Sequence, residues 1–359
     1  MKYLSLALTF VFLLFISTSC DSDSDSISPG SLIPAKFELP FNNATARKGE
    51  EIRVEVSVVD VAQIKNLKVF TKDSVIFEGK VDKTQLLFEI PTDNWSVGTN
   101  QISIETTTID DKVRRDNRVV KIFPNTFPTD YTAEVIKVYP HATTSYTQGL
   151  EFDGDQLYEG TGGMGATGRS IIAKVDLNTG EITDERFIGE NYFGEGITIL
   201  GDKLYQLTWQ QHTCFVYDKN SLELLDTYTY TGEGWGLCND GEYLIMSDGT
   251  ERLYFRDPET FAIRKTMEVY SNQGPLKGIN ELEYINGKIY ANIYTTNQIV
   301  IIDAKTGVVT GLIDASLIAL DYRETGEVLN GIAYKESTKQ LFITGKNWPN
   351  MLEIGLIEQ

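Results

Sequence analysis

Histidine is nearly missing from this 359-residue sequence: His141 and His212 stand against 51 acidic residues. Neither is placed at metal-ligand spacing, which argues against metal catalysis, and a Ser–His–Asp arrangement would have to find its base in one of the two. Cysteine is almost as scarce, with Cys20, Cys214 and Cys238. No disulfide framework can be built from them; Cys214 and Cys238 are either one pair or two separate buried thiols. No basic run offsets a formal net charge of −19, so a phosphate backbone would be repelled and nucleic acid is excluded as a partner. The apolar run from Tyr3 to Ile16 is too short to span a bilayer comfortably. What is present is apolar material, 41% of the residues, enough to build cores for two or three domains.

The chain opens Met1-Lys2, continues through that apolar run and reaches Ser17-Thr18-Ser19 before Cys20. A charged start, a short apolar stretch and small residues make a secretory leader over residues 1–19. A cysteine directly after small residues resembles a bacterial lipoprotein box, with Ser17 where that box usually has an aliphatic residue. The resemblance implies that Cys20 is acylated; the alternative is an ordinary secretory leader and an incidental cysteine. Residues 20–32 run from Cys20 into Asp21-Ser22-Asp23-Ser24-Asp25-Ser26, which cannot bury a core, so a solvated acidic tether is expected. Acidic residues behind a lipidated cysteine are similar to the surface-export signal of Bacteroidetes lipoproteins. That implies an exported protein held at the outer membrane, on its surface or periplasmic face, through lipid alone.

Residues 33–124 alternate. Ile52, Val54, Val56 and Val58 occupy every second position, and short runs of the same kind recur as far as Val119–Phe123, separated by turns such as Lys48-Gly49. About seven short strands over such a length predict an immunoglobulin-like β-sandwich, here without a cysteine pair. Trp95 and Phe88 read as core. No polar chemistry clusters in this region, which points to a spacer or partner-binding role. Pro124 to Pro128 marks a linker, because closely spaced prolines stop both helix and ladder.

Residues 130–359 repeat. Gln148-Gly149-Leu150, Glu195-Gly196-Ile197, Trp235-Gly236-Leu237, Asn280-Glu281-Leu282 and Asn330-Gly331-Ile332 align, and each leads through a turn into an apolar strand. A third strand follows in four of them, ending at Asp176, Asp218, Asp257 and Asp303. Five four-stranded meanders of about 40 to 50 residues predict an all-β chain whose second part is a five-bladed β-propeller. The last repeat lacks a fourth strand, and Ala133–Tyr139 lacks a partner. Pairing the two closes the ring and removes both open edges.

In such a ring the first strand of each blade lines the central channel. Gln148, Glu195, Trp235, Asn280 and Asn330 then converge on one funnel, and the next strand adds Gly162, Trp209, Gly249, Tyr294 and Lys346 as a rim. Glu195 is the one charged member of the first ring, and apolar walls would raise its pKa into the range useful for proton transfer.

Phe193-Gly194-Glu195-Gly196-Ile197-Thr198, Gly234-Trp235-Gly236-Leu237, Asn280-Glu281-Leu282-Glu283-Tyr284 and Thr344-Gly345-Lys346-Asn347-Trp348-Pro349 together resemble the plant-type glutaminyl-peptide cyclotransferases, a form also found in bacteria. The likeness runs from about Tyr146 to Leu352 and leaves out the sandwich. It implies that the α-amine of an N-terminal glutamine, on a peptide or protein, attacks its own γ-carboxamide to give pyroglutamate and ammonia, with no metal required. By the same resemblance Glu195 is the proton shuttle, Trp209 and Trp235 are aromatic walls, Gln148 and Asn280 orient the substrate, and Lys346 donates to a carbonyl or oxyanion. Tyr146 stands where phenylalanine is usual, and Tyr294 where tryptophan is usual. Glu151 and Glu159 read as structural or as support behind the residues that meet the substrate.

Two other readings share the architecture. One is a non-catalytic cell-surface binding propeller. The other is a calcium-dependent lactonase-like hydrolase, which calls for several channel carboxylates where the pattern supplies mainly Glu195; a structural calcium in the channel stays open.

Overall fold

The computed structural model describes residues 33–163 and 168–359. The leader, the tether and Cys20 lie outside the described residues.

Alternation builds the first body. In Glu51–Val58 the side chains of Ile52, Val54, Val56 and Val58 are buried while Glu51, Arg53 and Glu55 face solvent or its margin, as the period of a one-sided strand requires. This strand pairs with Ala35–Leu39 and with Gln85–Pro91. A second sheet runs, in spatial order, Ala44–Arg47, Val113–Phe123, Gly98–Thr108, Ile64–Thr71 and Val75–Gly79. Val54 and Val56 from the first sheet, and Leu67, Ile102 and Ile122 from the second, share one core with Trp95. Ala44–Arg47 pairs in parallel with Val113–Phe123. Its four residues carry no alternating apolar run, and the sequence pattern passes over it.

Past Pro128 the sheets repeat. Three separate four-stranded antiparallel sheets open with Thr147–Asp153, Gly194–Leu200 and Leu237–Asn239. Two further units, opening with Ile279–Ile285 and Leu329–Lys335, are fused into one eight-stranded sheet by Thr129–Pro140. That strand was expected against the last unit, and it does pair antiparallel with Asn350–Glu358. It also pairs in parallel, through Thr129 to Thr132, with Gly311 to Asp314 of the fourth unit. One strand thus covers two edges that would otherwise be open. A seven-residue helix, Ser316–Tyr322, precedes the fifth unit and was not foreseen.

The units match in detail. Asp176, Asp218, Asp257 and Asp303 each accept, at Oδ1, the backbone N–H groups two and three residues on. The hydroxyls of Thr179, Ser221, Thr260 and Thr306 donate to the same oxygens. Each is an Asx turn that ends the third strand.

The five opening strands lie side by side in a ring, the first packing on the second and the fifth, with the third and fourth between. Glycine makes this spacing possible. A Cβ on Gly196 would stand 2.5 Å from the Leu237 nitrogen, and one on Gly236 would stand 1.9 Å from the Asn280 carbonyl oxygen. No other residue lets backbones of adjacent units meet so closely.

Candidate active site

The opening strands share an irregularity. The ladder register slips at Gln148, at Glu195-Gly196, at Asn280-Glu281 and at Asn330-Gly331. A bulge inserts an unpaired residue and re-aims its side chain. In the third unit the strand begins only at Leu237, so Trp235 precedes it. Gln148, Glu195, Asn280 and Asn330 are all buried at these slips.

A polar chain links three of them. Asn330 Nδ2 donates to the Thr147 carbonyl at 2.9 Å and to Gln148 Oε1 at 3.2 Å. Gln148 Nε2 in turn donates to Glu195 Oε1 at 3.3 Å. A backbone carbonyl only accepts, so it fixes the Asn330 amide, and Asn330 fixes that of Gln148. The Asn280 and Asn330 Oδ1 atoms are buried without a hydrogen-bond partner.

Burial pushes the Glu195 carboxyl well above its usual range; Lys346 opposes this and Glu233 adds to it. Burial likewise lowers the Lys346 ammonium, against the pull of Glu195 and Glu327. A carboxyl and an amine brought toward each other in this way are suited to exchanging protons with a reactant.

Aromatic rings surround the pair. Tyr146 meets Phe193 edge-on with centroids 6.2 Å apart, Phe193 meets Trp209 at 5.9 Å, and Trp235 meets Tyr294 at 5.3 Å. Lys346 Nζ lies 4.8 Å from the Tyr146 centroid and 5.3 Å from that of Tyr294. Trp209 is 38% exposed and Tyr294 40%, so the collar opens to solvent. A Cβ on Gly249 would stand 2.7 Å from the Trp235 ring, which lies flat against that glycine.

Beneath the collar is a buried ion pair. His141 Nε2 lies 3.0 Å from Glu159 Oε1, and Nδ1 lies 2.7 Å from the Trp348 carbonyl. With an acceptor at each nitrogen the ring is held as imidazolium. Ser145 and Thr147 hydroxyls also donate to Glu159. Burial alone would lower His141 and raise Glu159, but their mutual attraction and these hydrogen bonds outweigh it in both. The pair joins the segment carrying Tyr146 and Gln148 to the one carrying Lys346.

Where the sequence pattern supplied mainly Glu195, the ring of opening strands carries further buried carboxylates. Glu281 is buried and accepts from Leu150 N at 3.2 Å and Ile332 N at 2.9 Å, across the ring. Glu283 accepts from Tyr334 N, and Glu151 from Ile199 N. Both border a cavity at the end opposite the collar. Glu281 and Glu283 follow Asn280 by one and three positions, outside the single register position at which the repeats align. Among the described residues no group of three His, Cys, Asp or Glu side chains is disposed to hold a metal ion. Cys214 and Cys238 are separate, buried free thiols.

Gln148, Glu195, Lys346, Tyr146 and Tyr294 are therefore linked through direct contacts or through the field between Glu195 and Lys346. Trp209 and Trp235 join them through Phe193 and Tyr294, and Asn280 lies on the strand beside Gly236. Phe193, Glu233 and Asn330 belong with them and were not among the expected site residues; Asn330 had appeared only as a ring position and Phe193 only within a motif.

The family described as Glutamine cyclotransferase matches residues 110–356. A glutaminyl-peptide cyclotransferase of Arabidopsis thaliana is 38% identical over 229 residues, which are 62% of this chain and 71% of the plant protein. The crystal structure of Myxococcus xanthus glutaminyl cyclase superposes with a TM-score of 0.61 at 36% identity, covering 65% of this chain and 99% of that one. With its ring of five units, its collared carboxylate and these relatives, the chain belongs to the glutamine cyclotransferase family.

Proposed function

We propose that this protein is a glutaminyl-peptide cyclotransferase acting on peptides or proteins with an N-terminal glutamine. The α-amine nitrogen attacks the γ-carboxamide carbon, the ring closes to pyroglutamate, and the amide nitrogen leaves as ammonia. Glu195 takes the proton from the attacking amine and returns it to the departing nitrogen, so one carboxyl group completes the cycle. Lys346 donates to the oxygen on which charge develops. Trp209, Trp235, Tyr146 and Tyr294 hold the side chain in its cyclising shape, while Gln148 and Asn280 orient the reacting groups. The observation that carries the reading is a buried Glu195, steered by Gln148 and opposed by Lys346, inside an open aromatic collar.

No step in this reading uses a metal. A structural calcium would find Glu281 with both oxygens already on backbone N–H groups. We read the five units as blades of a β-propeller spanning residues 130–359, and the N-terminal body, residues 33–124, as an immunoglobulin-like sandwich that spaces or docks it. The leader and Cys20 support export and attachment to the outer membrane by lipid.

The test is ammonia release from a glutamine-initiated dipeptide by purified protein lacking its first 30 residues. Ammonia no faster than the uncatalysed rate overturns the proposal. Bound, unchanged peptide would point to the binding propeller, and activity abolished by chelator to the lactonase-like hydrolase.

A further inference from the structure

Glu233 lies between the two tryptophans and touches both. Trp209 Nε1 donates to Glu233 Oε2 at 2.8 Å, and Trp235 Nε1 donates to the same oxygen at 2.9 Å. Gln210 Nε2 holds the other oxygen at 2.8 Å. Burial would raise this carboxyl, but the bonds from Gln210, Trp235 and Trp209 outweigh it and keep it ionised.

An indole has one polar atom, a donor. Both rings have theirs turned to a single point, so what remains for a ligand is carbon surface. Neither N–H is free to stabilise an oxyanion. The loops beneath are tied by Gly234 N donating to the Trp209 carbonyl at 3.0 Å, but that bond leaves both indoles free to turn. Glu233 is the group that ties ring to ring.

Followed around the mouth, Tyr146, Phe193 and Trp209 lead to Glu233, then Trp235 and Tyr294 lead to Lys346, which lies over both tyrosines. The collar is one closed circuit with two charged links, an anion joining the tryptophans and a cation joining the tyrosines.

We propose that Glu233 is a positioning residue that clips Trp209 to Trp235 and thereby sets the width of the slot receiving the glutamine side chain. This deepens the cyclotransferase reading and rests on it for the identity of the ligand. The clip acts before chemistry: two indoles held apart at a fixed spacing lose no rotamer freedom when the substrate arrives.

The test uses the full chain in detergent, with Glu233→Ala, Glu233→Gln, Trp235→Phe and the double variant of Glu233→Ala with Trp235→Phe. Glu233→Ala should raise KM for a glutamine dipeptide about tenfold, the fold-change of one lost charge-assisted bond, and should shift tryptophan emission to the red with easier quenching. Glu233→Gln keeps an acceptor oxygen in place and should recover most of the KM. Trp235→Phe removes the N–H but keeps a ring, so in the double variant the two effects should fall short of adding. Unchanged emission and KM in Glu233→Ala, or full additivity in the cycle, overturns the clip. If Glu233→Ala fails to fold, Glu233→Leu, which fills the same space without an acceptor, takes its place in the cycle with Trp235→Phe. If the parent protein releases no ammonia, the cyclotransferase reading falls while the emission shift still decides the clip.

Discussion

Asn330 and Gln148 share a hydrogen bond of 3.2 Å that decides which end of the Gln148 amide meets Glu195. Because Asn330 is itself held by the Thr147 carbonyl, the nitrogen of Gln148 faces the carboxylate and favours its ionised form. Asn330→Asp removes the donor and lets that amide turn over. We expect kcat to fall about tenfold, and its acid limb to move to higher pH as an oxygen now faces Glu195. Steady-state kinetics across pH reads both effects.

Glu195→Gln keeps the shape of the side chain and removes its proton chemistry. Loss of a positioned acid–base group costs on the order of 10² to 10⁴ in kcat. Thermal unfolding should show the variant at least as stable as the parent, since a carboxyl whose burial opposes ionisation has been replaced by a neutral amide. Retained turnover would move the proton shuttle elsewhere.

Lys346→Met tests the opposing charge. Lys346 draws the Glu195 pKa down from where burial pushes it, so its removal raises that pKa further. Activity requiring the carboxylate appears as pH rises through the pKa, and the acid limb of kcat should therefore shift alkaline while its plateau falls. A limb that stays in place would show that another group sets it.

Glu151 links the far end of the channel to pH. Burial pushes it up to about 8 from an ordinary 4.5, with Thr198 and Ile199 hydrogen bonds opposing. A folded pKa above the unfolded one means that the stabilising contribution is full below about pH 4.5 and is lost as pH rises toward 8. Glu151→Gln should flatten the decline of Tm between those values and raise Tm most at the alkaline end. Calorimetry in a pH series is the measurement, and the same series with added calcium reports a structural cation through a rise in Tm.

His141→Ala leaves Glu159 buried without its partner. Breaking such a pair costs about 3 to 5 kcal/mol, and a second change, Glu159→Gln, should return part of it. His141 is held above its ordinary value of 6.5. Its stabilising contribution is accordingly full below that value and fades as pH rises through the folded pKa, so the gap between parent and variant should narrow in alkaline buffer. Denaturant titrations at two pH values suffice.

The repeat was legible because chemistry recurs at a fixed spacing: the Asp turns at 176, 218, 257 and 303 and the glycine after four of the five ring residues are local demands that sequence must meet. Glu195 could be singled out for the same reason. The bulges were not legible, since a one-residue slip in a ladder leaves composition and alternation nearly untouched. Glu233 was hidden for another reason. It lies in the loop between two units, outside the register that the repeats define, and its role exists only where two side chains from different units converge. Glu281 and Glu283 were missed because alternation predicts which way a regular strand points, and the bulge at Asn280-Glu281 breaks that rule.

Thr129–Pro140 also sets an order in time. It is made before any of the five units, yet its partners Gly311 to Asp314 belong to the fourth unit and Asn350–Glu358 is made last. Through most of synthesis it has no ladder to join, and the contacts it finally makes span some of the longest separations in the chain. Closure of the ring is thus a late step, coming after the individual sheets have formed, and a slow one by the rule that distant pairings cost the most chain entropy. A chain released short of its last strand would keep every residue of the collar and still leave one edge unsealed.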